Sequence, residues 1–210
     1  MIEPCDTDVL LVVDVQRDFL PGGALAVPDG DAVVAPITAL GRLFPHVVLT
    51  QDWHPPGHAS FASSHPGRQP FDTIALAYGE QVLWPDHCVM GTSGAALAEG
   101  LDLPHAELVI RKGYRRSIDS YSAFVEADRR TPTGLAGYLR ERGITRVVLC
   151  GLATDYCVGW SALDARAAGF EAVLVEDACR AIDQGGSLAR AFAAMDAAGV
   201  ARVRAEAVAG

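Results

Sequence analysis

The sequence predicts an α/β protein, a three-layer doubly wound domain whose mainly parallel sheet of about six strands is flanked by helices. Two observations point there. Short runs rich in Val, Leu and Ile recur along the chain, and their hydrophobicity is continuous rather than alternating, as in strands buried on both faces. Helical stretches lie between several of these runs, and that alternation builds a parallel sheet with helical crossovers.

The elements follow in order. A strand at 9–13 (VLLVV) leads to a helix over 31–43 and a strand at 47–49. The next strand is 108–110, then a helix over 133–142 and a strand at 147–149. A helix over 156–168 precedes the strand at 173–175, and a helix over 186–198 precedes a weaker apolar run at 200–203. Residues 51–107 break the rhythm. They are rich in His, Pro, Gly and Ser, and a connection of that length is usually functional or disordered. Its aromatic residues and histidines argue for order, so an ordered metal-binding loop region laid over the sheet edge is expected, with a short helix near 93–99. Residues 1–210 read as a single domain with ample length for a core.

Composition narrows the function. Half the residues are hydrophobic, a fifth are charged, and the net charge is −9. That balance argues against a general binder of nucleic acid or of anionic membranes. There is no basic segment followed by an apolar one at the start, nor any run near the roughly 18 apolar residues of a membrane span. The expected location is the cytoplasm. The five cysteines are odd in number, scattered and without CxxC spacing, which suits reduced thiols, mostly buried.

Of the 17 Lys and Arg residues, only Lys112 is lysine. A compact ammonium with rotatable donors and a tunable pKa differs from a planar, permanently charged fork. Its place in the chain gives the contrast weight. Asp14 follows the first apolar run, Asp52 the second, Lys112 the third, and Cys157 lies a short loop beyond the fourth. In a parallel sheet these strand ends share one edge, where open α/β folds bind ligands. Cys157, expected at a helix N-terminus, is the nucleophile candidate, and the helix end should lower its pKa while free N–H groups cradle an oxyanion. Asp14 could take the thiol proton and Lys112 could stabilise the resulting anion. A second group lies in DWHPPGH at 52–58 and WPDHC at 84–88, and four of the six histidines fall between 54 and 87. One Asp with two or three His and open positions suits a catalytic or substrate-binding divalent ion, whether Zn, Fe or Mn. Phe19 and Trp84 could form an apolar slot for a flat ring. Trp160 is expected in the core, and Arg129 and Arg130 read as solvated charge.

At these residues the chain resembles the nicotinamidases (pyrazinamidases) of the isochorismatase-like cysteine hydrolase superfamily. The matching segments are DVQRDFLPGGALAV at 14–27, TQDWHPPGHASF at 50–61, WPDHCVMGT at 84–92, RKGYRRSIDSYSAF at 111–124 and GLATDYCV at 151–158. The resemblance implies a metal-dependent amidohydrolase of NAD salvage, with nicotinamide as its substrate and pyrazinamide accepted. It implies Asp14 as general base, Lys112 as charge partner and Cys157 as nucleophile. Asp52, His54 and His87 would be metal ligands. Relatives differ over the equivalent of His58, which stands either as a further ligand or behind the ligands. A cis peptide at Leu152-Ala153 would aim the Ala153 and Cys157 N–H groups at the oxyanion, and the pyridine ring would lie near Phe19 and Trp84. Homo-oligomerisation stays open. Two rival readings remain: hydrolysis of an N-carbamoyl compound or other small amide, and a non-catalytic metal-binding module on a hydrolase fold. A substrate without a ring nitrogen has less use for the metal residues, and the intact Asp14, Lys112 and Cys157 set speaks against the module.

Overall fold

The computed structural model describes residues 1–209. Along the chain it forms β1 (Asp8–Val13), α1 (Val34–Gly41) and β2 (His46–Asp52). A two-stranded hairpin follows, β3 (Thr73–Leu76) and β4 (Gly79–Val82), then β5 (Leu108–Lys112) and α2 (Leu135–Glu141). The last part comprises β6 (Arg146–Leu152), α3 (Gly159–Ala167), β7 (Glu171–Arg180), α4 (Ser187–Ala197) and β8 (Ala201–Val203). No helix among the described residues is long and apolar enough to cross a membrane.

Six strands form one sheet in the order β5-β2-β1-β6-β7-β8, and every neighbouring pair is parallel. β1 lies inside the sheet, which is why all six of its residues are buried and its sequence is uniformly apolar after Asp8. From β1 the chain steps outward through β2 to β5, then returns to β6 and steps the other way. The direction reverses between β1 and β6, and the crevice beyond the carboxyl ends of these two strands is where such sheets bind ligands.

The backbone at this reversal is tightly packed. Gly151, near the end of β6, has φ +119°, and a Cβ there would meet the Val13 carbonyl oxygen of β1. The pairing of β6 with β7 is also irregular between Leu149 and Gly151. The two central strand ends therefore approach each other only because residue 151 carries no side chain.

Two features differ from expectation. Residues 93–99 form turns, not a helix. Their carbonyls are taken by the segment after β1: Arg17 N–H donates to Ala96 O at 3.0 Å and Asp18 N–H to Gly94 O at 3.1 Å. The Gln16 and Gln51 side-chain amides both donate to Ala95 O, at 2.9 and 3.0 Å. Tertiary donors outbid local helical propensity here. Trp160 is 41 % exposed instead of buried. The Arg129 guanidinium lies 5.5 Å from its ring centroid and pairs with Asp164, so Arg129 is not merely solvated charge.

Gly151→Ala should cost about 3 kcal/mol or more, because both the backbone conformation and the approach to Val13 resist a side chain. Urea unfolding of the variant beside the wild type measures this, and a loss under about 1 kcal/mol would contradict it.

Candidate active site

Lys112 ends β5 directly opposite Asp52, its register partner at the end of β2. The Lys112 side chain is completely buried. Nζ donates to Asp52 Oδ1 at 2.5 Å, to the Ser120 carbonyl at 2.9 Å and to Cys157 Sγ at 3.3 Å. Asp14 Oδ2 lies 2.7 Å from the same nitrogen. At that distance Asp14 and Lys112 form a buried ion pair. Asp14 Oδ1 accepts from the Thr50 hydroxyl at 2.5 Å, and Thr50 Oγ1 accepts from the Asp14 N–H at 3.1 Å. Carboxylate oxygens of Asp14 and Asp52 lie with Cys157 Sγ in one group whose members are all within 4.8 Å.

The charges divide unevenly. Burial pushes the Lys112 ammonium down, but the Asp14 and Asp52 carboxylates outweigh it and hold it well above the ordinary lysine value. Burial raises Asp14 as well, and Lys112 recovers only part of that rise. Asp52 goes the other way: burial opposes ionisation, yet Lys112 and His54 hold it well below the usual carboxylate range. Burial lifts the Cys157 thiol well above its ordinary value, and Lys112 only partly offsets this. The expected lowering of Cys157 is therefore not found. The residue lies in a five-residue turn, Thr154–Val158, ahead of α3, and desolvation dominates any helix-end effect. The resting thiol is neutral and needs a base.

Asp52, His54 and His87 are buried together, with ligand atoms within 4.8 Å of one another. His54 Nδ1 lies 2.9 Å from the Gly113 carbonyl and His87 Nδ1 lies 2.8 Å from the Pro85 carbonyl. A carbonyl only accepts, so each Nδ1 donates, which leaves each Nε2 as the atom turned to the shared site. Those nitrogens lie 3.7 and 3.8 Å from Asp52 Oδ2. Two imidazole nitrogens and a carboxylate converging this way fit a divalent ion with open positions. His58 is different. Its Nε2 lies 3.1 and 3.2 Å from the Arg115 and Ile118 carbonyls, so that nitrogen is a donor, and Nδ1 sits 2.7 Å from the Ser60 hydroxyl. Both nitrogens are engaged while the ring lies 4.3 Å from that of His54, centroid to centroid. Burial, with His54 beside it, depresses the His58 pKa to about 4. His58 also stands with His54 and Asp119 in a second buried group whose ligand atoms lie within 4.8 Å of one another.

One cavity opens onto both groups. Phe19, Trp84, Ala153 and Cys157 line it, with Asp52, His54 and His87. The Leu152–Ala153 peptide is cis. Leu25, Asp119, Tyr121, Tyr156 and Ile182 also line the cavity and were not singled out from the sequence. Tyr121 accepts from Trp84 Nε1 at 3.0 Å and from Gln81 Nε2 at 3.1 Å. Tyr156 meets Trp84 edge-on at 4.8 Å.

Sequence reasoning also passed over the supports. Gln16 donates to the Asp52 carbonyl and accepts its N–H, both at 2.8 Å, locking the end of β2 to the segment after β1. Asp18 Oδ2 accepts the Cys88 N–H at 2.7 Å, next to His87. Gln16 and Asp18 stand in the DVQRDF stretch that carried the resemblance, so a signal was there. It named a family without naming a contact.

The sequence matches the Isochorismatase domain family over residues 8–207. It is 59% identical over 194 residues to the nicotinamidase of Acinetobacter baylyi, covering 92% of this chain and 91% of that protein. The PnC1 protein of L. infantum, solved in complex with nicotinate, is 40% identical with a TM-score of 0.87, covering 99% of this chain and 98% of that one. The pyrazinamidase of Pyrococcus horikoshii, solved in complex with zinc, is 37% identical with a TM-score of 0.77, covering 94% and 99%.

Metal analysis of purified variants checks the ligand set. His54→Ala and His87→Ala should each lose the bound ion. His58→Ala should keep one ion per chain and weaken its retention by roughly 10–100-fold, as expected for a partner behind the ligands. Full loss of metal from the His58 variant would make it a ligand.

Proposed function

Because this chain belongs to the isochorismatase-domain family, we propose that it hydrolyses nicotinamide to nicotinate and ammonia through a thioester on Cys157, and that it accepts pyrazinamide. One observation carries this reading. A single buried ammonium, Lys112, contacts the Cys157 thiol and Asp14 on one side and Asp52 of the metal-type set on the other. Both sets open onto one aromatic-lined cavity. Cysteine hydrolysis beside a site for a ring nitrogen is what a pyridine carboxamide requires. An N-carbamoyl substrate would leave Asp52, His54 and His87 without a purpose.

The chemistry follows from the proton positions. Asp14 takes the Cys157 thiol proton as sulfur attacks the carboxamide carbon. Burial raises both the thiol and its base, and Lys112 offsets part of the cost of the transfer by steadying the anion that forms. The Ala153 and Cys157 N–H groups hold the tetrahedral oxyanion. Protonated Asp14 then gives its proton to the departing nitrogen, so ammonia leaves and a thioester remains. Asp14 next deprotonates a water, which attacks the thioester. The C–S bond breaks, nicotinate forms, and the proton on Asp14 returns to sulfur. A divalent ion held by Asp52, His54 and His87 would supply a Lewis acid to anchor the ring nitrogen. Phe19, Trp84, Tyr121 and Tyr156 pack the ring and keep water from the resting thiol.

The test is ammonia release from nicotinamide by purified protein. Release should fall at least about 10³-fold in Cys157→Ala while nicotinamide still binds. No release from metal-loaded wild type would remove the substrate assignment.

Lys112→Arg should lose at least about 100-fold in kcat although the charge is kept. Three acceptors and the Asp14 carboxylate crowd one nitrogen inside a fully buried space, and a planar fork cannot fill it. Steady-state kinetics check this, and turnover near wild type would take Lys112 out of the mechanism.

A further inference from the structure

We propose that Asp155 is a positioning residue for the substrate cavity, tying the wall segment at 182–187 to the turn that carries Cys157. This rests on the reading that the cavity holds nicotinamide, and it adds a residue to which no role has been given.

Asp155 stands two residues before Cys157 in the turn Thr154–Val158, and it is buried. Its carboxylate does not point to the reacting groups. Oδ1 accepts the Ile182 N–H at 3.1 Å, while Oδ2 accepts the Asp183 N–H at 2.8 Å and the Ser187 hydroxyl at 2.5 Å. Two of the donors lie in the segment between β7 and α4, and the third, Ser187, opens α4. Ile182 lines the cavity beside Ala153, Tyr156 and Cys157.

Apart from these bonds the segment is held at its exposed side, where Arg190 Nη1 donates to the Gly185 carbonyl at 2.6 Å and the Leu188 N–H donates to Asp183 Oδ1 at 3.3 Å. Residues 183–186 are exposed, and Asp183, Gly185 and Gly186 have φ of +51°, +56° and +77°. A chain of left-handed residues and two glycines loses much conformational freedom on ordering and makes few contacts of its own. A buried carboxylate that accepts three hydrogen bonds provides that order, because bonds to an ionised acceptor are the stronger kind. One side chain, rooted in the turn ahead of α3, therefore sets the distance of Ile182 from the bound ring. Only an acidic side chain does this. An amide would put a donor against at least one of the three donors.

The experiment compares wild type, Asp155→Asn, Ile182→Ala and the double variant, by kinetics with nicotinamide and by amide hydrogen exchange. In Asp155→Asn, KM should rise about tenfold with kcat held within about threefold, since the wall moves while the catalytic groups stay. The Ile182 and Asp183 amides should exchange faster. Ile182→Ala should raise KM too, and the double variant should add little to either single change, because both act through one contact. Three results would each overturn the proposal: kcat falling at unchanged KM, unchanged exchange at both amides, or fully additive KM effects. If Asp155→Asn does not fold, Ser187→Ala removes one donor and keeps the carboxylate. It should shift KM and amide exchange the same way by less, and no change in either would also overturn the proposal. If wild type released no ammonia from nicotinamide, the substrate reading would fail, while exchange at the two amides would still decide whether Asp155 holds the segment.

Discussion

The ammonium of Lys112, sealed from solvent, is the constraint on which the rest of the site depends. A buried cation must have anions and acceptors close by, or it gives up its proton. Here they come from different strands: Asp52 at the end of β2, Asp14 just after β1, the thiol of Cys157 after β6, and the Ser120 carbonyl after β5. Only the order β5-β2-β1-β6 brings those ends side by side. The requirement reaches back into the backbone, to the glycine at 151 that lets β6 close on β1 and to the left-handed φ of +48° at Asp14. The sheet order and the charge arrangement are thus one structural fact.

Asp52 extends that constraint into the second set of residues. Its Oδ1 is taken by Lys112 and its Oδ2 faces the Nε2 atoms of His54 and His87. The thiol chemistry and the metal-type set therefore share a carboxylate. Any change in charge on one side is felt on the other, through a few ångströms of low-dielectric interior. Loss of Asp52 would do more than remove a ligand, since it would leave Lys112 with the partly protonatable Asp14 as its one carboxylate. The same logic explains the thiol. The burial that makes these charges interact strongly also opposes a resting thiolate, and in the proposed reaction the proton leaves sulfur only as Asp14 takes it.

This also accounts for what was legible in the sequence. Buried parallel strands are written as unbroken apolar runs, and chemistry at strand ends is written as a reactive residue just after each run. Asp14, Asp52, Lys112 and Cys157 could be read in that way, and Lys112 also stood out as the lone lysine among arginines. His54 and His87 could be read from their density in one loop region. The helix expected near 93–99 failed because its carbonyls serve Arg17, Asp18, Gln16 and Gln51, partners more than 40 residues away in sequence. The lowered thiol pKa failed because local position suggests a helix end, while the dominant effect is burial by distant segments. Tyr121, Tyr156 and Ile182 lie on irregular connections where no periodicity marks a wall.

The two kinds of residue divide the work. The groups given proton transfer in the proposed reaction follow the ends of neighbouring strands, whose positions are fixed by ladder hydrogen bonds. Most groups that line the cavity are carried by loops and held by side-chain bonds, as Trp84 is to Tyr121 and Ile182 to Asp155. Sites on strands are more precise than sites on loops. The proposed reaction, in which one carboxylate gives and takes a proton repeatedly, needs that precision, whereas ring packing tolerates adjustment. A change of substrate can therefore be made in the walls, while any change at Lys112 must be answered at three other strand ends at once.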